Sequence, residues 1–156
     1  MSTTASAPTA NDVWFAGTLM QVLADHASTN GQFALIEQCA PQGFSPPTHV
    51  HQNEDQLLYV LEGRVTARLG ADERVLEAGE TVWLPRGTAH TFRVDSAQAR
   101  LLEITTPAGF ERYHIELGEP AGELRIPDPA PLDVPALAAG SARYSCDIIG
   151  PPMESA

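Results

Sequence analysis

The sequence predicts an all-β fold, a small antiparallel barrel or sandwich. Three observations carry this expectation. Short apolar, β-branched runs recur from Asp12 to about Thr106. A glycine or another chain breaker bounds each run. No helical repeat of comparable length interrupts them, which disfavours a parallel sheet with crossover helices. Taken in order, residues 1–11 are rich in Ser, Thr and Ala and read as a disordered tail. Strands are then expected at Gly17–Leu23, Phe33–Cys39, Gln56–Leu61, Arg64–Leu69, Arg74–Leu76, Thr81–Leu84, Thr91–Val94 and Arg100–Thr105. Gly70-Ala71-Asp72-Glu73 reads as a hairpin loop between two of them. After Pro107 the pattern changes. Gly109–Leu117 fits a short helix with Phe110, Tyr113 and Leu117 on one stripe and Gly118 as its stop. Pro120, Pro127, Pro129, Pro131 and Pro135 stiffen the next stretch into an extended arm, and Pro135–Arg143 fits a second short helix. The chain therefore divides into a tail (1–11), a β domain (12–106) and a helical, proline-rich extension (107–156) that packs on the domain or on a partner subunit.

Composition narrows the function. Its 156 residues hold 20 acidic and 9 basic side chains, for a net charge of −11. That balance argues against nucleic-acid and anionic-membrane partners, which select basic patches. All nine bases are arginine, so lysine Schiff-base chemistry is excluded. Cys39 and Cys146 lie far apart outside any CxxC pattern and read as free thiols. No apolar run reaches the length of a membrane span, and Met1–Pro8 lacks the basic and apolar regions of a signal peptide. A cytoplasmic location is expected.

The chemistry concentrates in two blocks. In Gly43-x5-His49-x-His51-x4-Gln56-x6-Gly63, His49 and His51 are two residues apart, so a strand presents both imidazoles on one face. In Gly79-x5-Pro85-x-Gly87-x2-His90, a third histidine stands on another hairpin. A closed barrel brings such hairpins to one point, and neutral imidazoles suit first-row transition metals.

These two blocks resemble the two signature motifs of the cupin superfamily, G-x5-H-x-H-x3-4-E-x6-G and G-x5-P-x-G-x2-H-x3-N, over residues 43–94. The stretches HVHQNEDQLLYVLEG and TPAGFERYHIELGEPAGEL are similar to single-domain bacterial cupins of the quercetin 2,3-dioxygenase-like group. The resemblance implies a small jelly-roll barrel, commonly a homodimer, with one divalent metal (Fe, Mn, Ni, Co or Zn) held by His49, His51, Gln56 and His90. It implies dioxygen-dependent cleavage of flavonols or enolised diketones. Two positions depart from the pattern. Val94 replaces an asparagine that is not a ligand. Gln56 replaces the glutamate, offering a neutral carbonyl instead of a negative ligand and proton acceptor. The metal would then keep its full double charge and act as a stronger Lewis acid. A His-His-Gln-His set also resembles that of hydroxynitrile-lyase cupins, so a redox-neutral lyase or isomerase is the alternative. A non-catalytic small-molecule binder is a third reading.

The remaining candidates have plainer expectations. Phe92 shares strand parity with His90 and is expected on the substrate pocket wall. Asp55 should point opposite to Gln56, and Glu54 reads as a solvated loop acid. His26 and His114 read as surface or packing histidines, and Trp14 and Trp83 as packing anchors.

Overall fold

A computed structural model describes residues 6–155. These residues form β1 (Asp12–Phe15), β2 (Thr18–Ala24), β3 (Ala34–Pro41), β4 (Thr48–His51), β5 (Asp55–Glu62), β6 (Arg64–Leu69), β7 (Asp72–Glu77), β8 (Thr81–Leu84), β9 (His90–Val94) and β10 (Gln98–Thr106). Helix α1 (Glu111–Leu117), β11 (Glu119–Pro120), α2 (Val134–Arg143) and β12 (Cys146–Gly150) follow. The strands make two antiparallel sheets: seven strands in the order β11-β1-β2-β3-β10-β5-β8, and five in the order β12-β4-β9-β6-β7. The fold is an all-β jelly roll.

Alternation explains the layers. Along β3, residues 34–41 alternate strictly between buried and half-buried, and β5 and β10 do the same over most of their length. The inward sets meet in two apolar clusters. One gathers Leu58, Val60, Val65, Leu76, Leu84 and Leu101; the other gathers Val13, Phe15, Ile36, Phe110, Tyr113 and Cys146.

Several sequence expectations need adjustment. The β6–β7 turn comprises Gly70-Ala71 alone, because Asp72 pairs with Leu69 and Glu73 with Arg68. β1 and β12 were not read as strands: each is four or five residues long, with no glycine-bounded alternation to mark it. The segment after Pro107 adds a strand to each sheet, β11 beside β1 and β12 beside β4. Its proline-rich stretch is tied down where Trp14 Nε1 donates to the Arg125 carbonyl at 3.0 Å. Trp83 is no packing anchor. It lies on the edge strand β8 and is 50% exposed. Of the 1–11 tail, residues 1–5 lie outside the described residues, and the Thr9 backbone N–H donates to the Asp12 carboxylate at 2.7 Å.

Candidate metal centre

The site forms where the two sheets face each other. β4 and β9 touch through one directly opposed pair, His49 and His90. His51 follows two residues along β4 on the same side. The ring centroids stand 5.1 Å apart for His49–His51, 4.5 Å for His49–His90 and 5.4 Å for His51–His90. From the other sheet, β5 contributes Gln56 and β10 contributes Glu103. With Phe44, Phe92 and Phe110 these groups line a half-open cavity of about 50 Å³. A larger hollow of about 450 Å³ runs between Trp14 and the proline-rich arm, but no histidine lines it.

Hydrogen bonds orient the donors. The Nδ1–H of His49 donates to the Pro47 carbonyl at 2.7 Å, and that of His90 to the Thr88 carbonyl at 3.0 Å. Each ring is thereby held in the tautomer that leaves Nε2 with a free lone pair. Burial, reinforced by the neighbouring histidines, pushes His49 down to about 3 and His90 down to about 4, so both are neutral at ordinary pH. His51 is also buried, which alone would lower its pKa. The adjoining Cys146 and Glu54 side chains outweigh that effect and push it up. His51 Nδ1 lies 3.4 Å from Glu54 Oε2, and neither atom has a hydrogen-bond partner. At that separation the contact is not a formed hydrogen bond, and a metal on His51 would have to displace the ring's second proton.

The most telling contact is between Gln56 and His90. Gln56 Nε2 donates to Glu103 Oε2 at 3.1 Å, which turns Gln56 Oε1 toward His90 Nε2, 3.2 Å away. Both facing atoms are acceptors, since the His90 ring proton is on Nδ1. In this arrangement a cation beside the two lone pairs would satisfy both. Two ligand atoms at right angles around a metal with bonds of about 2.1 Å stand about 3 Å apart. The donor set therefore fits a divalent transition metal.

The structure thus brings His49, His51, Gln56, His90 and Phe92 together around one cavity. Asp55 points away, as strand parity requires, and its carboxylate accepts from the Arg86 side chain at 3.0 Å. Glu54 is not a solvated loop acid: it is buried beside His51. His114 is buried among Phe15, Phe110 and Tyr113, and His26 is exposed.

Three polar groups escaped the sequence reading. Cys146 pairs with His51 across the β4–β12 register, and one ligand atom each from His49, His51 and Cys146 lie within 4.8 Å of one another. Both cysteines are free thiols. Glu54 and Glu103 are the other two. Glu103 is buried, and that burial is the leading cause that pushes it up to about 7. Parity with Leu101 would have placed Glu103 inward, but Leu102 and Ile104 make the other face of β10 equally apolar, so the pattern left the choice open.

Comparison with known proteins agrees with this architecture. The cupin domain family matches residues 35–105. Quercetin 2,3-dioxygenase of Bacillus subtilis (strain 168) is 29% identical over 102 residues, covering 65% of this chain; the match spans 30% of that relative's length. Among solved structures, KdgF from Halomonas sp. superposes with a TM-score of 0.57 at 18% identity, covering 62% of this chain and 86% of that one. An RmlC-like cupin from Shewanella frigidimarina superposes with a TM-score of 0.56 at 21% identity, covering 69% and 93%. With the motif spacing, the two-sheet jelly roll and the inward histidines, these matches show a cupin-like fold, with residues 35–105 similar to the cupin domain family.

Proposed function

We propose that this cupin-like protein is a metal-dependent dioxygenase that cleaves a small, enolisable diketone. The observation that carries the reading is the convergence of His49 and His90, each with its Nε2 lone pair free, with His51 and the Gln56 carbonyl on one cavity. His49, His51, His90 and Gln56 would hold one divalent first-row metal. When bound, such a metal supplies Lewis acidity toward an enolate and, where redox-active, a partner for dioxygen. The chain's own contribution is an apolar wall. Phe44, Phe92 and Phe110 line one side of the cavity with apolar surface. The relative named above acts on quercetin, but a cavity of about 50 Å³ is far below the roughly 300 Å³ at which pockets for drug-sized ligands begin. A substrate of few heavy atoms fits the cavity better than a flavonol. The same reading carries a homodimer, to be checked by sedimentation.

A second reading rests on Gln56. Three imidazoles and an amide are all neutral donors, so the cation's charge is undiminished by its direct ligands and a redox-neutral lyase or isomerase step gains from it. Elemental analysis together with an oxygen-electrode trace separates these readings. The dioxygenase consumes oxygen in proportion to a small 1,3-diketone. A lyase consumes substrate without oxygen. Wild-type protein with no bound metal points to a non-catalytic binding cupin. His90→Ala is expected to lose most of the metal while keeping the β-sheet circular dichroism, because a ligand is lost and strand pairing is not. Unchanged metal content in that variant overturns the three-histidine site.

A further inference from the structure

Once His51 has given up its proton to a metal, every direct donor of the proposed set is neutral, yet a carboxylate lies one hydrogen bond further out. Gln56 on β5 is opposite Thr105 on β10, which makes Glu103 its diagonal neighbour on the same inward face. Glu103 Oε2 accepts from Gln56 Nε2 at 3.1 Å. When ionised, the state a bound cation favours, the Glu103 carboxylate can only accept, so it selects one of the two amide orientations: the NH₂ end at Glu103 and the carbonyl end at His90. Glu103 is buried and lines the cavity, and among the described residues it takes part in no salt bridge with an arginine. A buried carboxylate with no cationic partner is costly. Apart from His51 when that ring is protonated, the nearby group that can balance it is a cation held by the histidines.

We propose that Glu103 is the displaced carboxylate of the metal centre: it locks the Gln56 carbonyl oxygen toward the histidines and balances the charge of the cation bound there. This rests on the metal-site reading above. Glu103 is a positioning residue, acting through Gln56. The alternative is a buried polar pair with no bearing on metal.

The test is titration of metal-free protein with Co²⁺, followed by its visible absorption bands, in wild type, Glu103→Gln and the transposed double variant Gln56→Glu/Glu103→Gln. Glu103→Gln keeps the side chain's volume but removes the charge and allows either amide orientation. It is expected to weaken Co²⁺ binding about tenfold or more, as loss of groups that orient metal ligands does. The double variant returns one carboxylate to the pair, and its affinity is expected to recover to within about threefold of wild type by the same argument. A merely structural pair would show unchanged Co²⁺ affinity in Glu103→Gln, and that result overturns the proposal. So does a double variant that binds no better than the single one. Should Glu103→Gln fail to fold, the double variant against wild type decides the point. Wild-type protein that takes up no Co²⁺ overturns the metal reading and this inference with it, whereas Co²⁺ binding by wild type that ignores the charge at position 103 overturns this inference alone.

Discussion

Gln56 shows how one side chain's meaning depends on its neighbour. In isolation, Gln56→Glu adds a negative ligand with almost no change in shape. In the structure the new carboxylate would stand about where Gln56 Nε2 now meets Glu103 at 3.1 Å. Two carboxylates this close cannot both ionise freely, and one retains a proton. The metal-free Gln56→Glu protein is therefore expected to melt below wild type. Its upward shift in melting temperature on adding metal should exceed that of wild type, because the cation relieves the repulsion and binds more tightly. Calorimetry with and without Co²⁺ checks both signs. An unchanged metal-free melting temperature would place position 56 out of reach of Glu103.

Individual elements hold these side chains in place. The β5–β6 hairpin turns at Gly63, which has φ +88° and whose added Cβ would meet the Gln98 carbonyl oxygen at 2.5 Å. Gly63→Ala combines left-handed strain with a backbone clash and is expected to cost about 2–4 kcal/mol in denaturant unfolding. Gly87 also has positive φ, but its Cβ would meet nothing within 4 Å, so Gly87→Ala should cost only about 1–2 kcal/mol from the strain. A denaturation series that ranks the two equally would show that the close approach at Gly63 carries no energy. The last strand bears directly on the metal centre. β12 covers the edge of β4 that presents His49 and His51. Truncation after Ser145 should therefore lower both melting temperature and metal content, measured by elemental analysis, although no ligand of the proposed set is removed.

At the scale of the whole molecule, burial of neutral histidines sets the acid response. His114 is pushed down to about 3 by burial, with the nearby His51 as a lesser cause, against an ordinary value of 6.5. The unfolded chain thus takes up a proton below pH 6.5 that the folded chain refuses until near pH 3, so stability falls as pH falls through that window. His49 and His90 act in the same direction. His51 and Glu103, both pushed up, act in the opposite one. A difference measurement isolates His114, which packs against Phe15, Phe110 and Tyr113. Between pH 7.5 and 4.5, metal-free His114→Phe should lose about 2–3 kcal/mol less stability than metal-free wild type. Parallel stability profiles would mean that His114 is protonated without cost in the fold.

The sequence by itself determined most of the central strands, the hairpin glycines and the two histidines that a period of two places on one face of β4. These are local consequences of backbone geometry, so they were legible without a partner in view. Gly63, His49, His51 and His90 stood out by spacing, and the jelly roll and a candidate metal-ligand set followed as what the resemblance of the two blocks to the cupin motifs implies. Only the tertiary structure decided what surrounds those ligands. Glu103 stands beside Gln56 because β10 pairs with β5 across 47 residues of chain, and Cys146 stands beside His51 because β12 returns from the far end to close the edge of β4. Glu54, three residues from His51, was placed in solvent by its polar loop, yet it is buried where the chain crosses from one sheet to the other. Pairing between distant strands leaves no mark on local periodicity, and it is that pairing which puts charge next to the neutral donors.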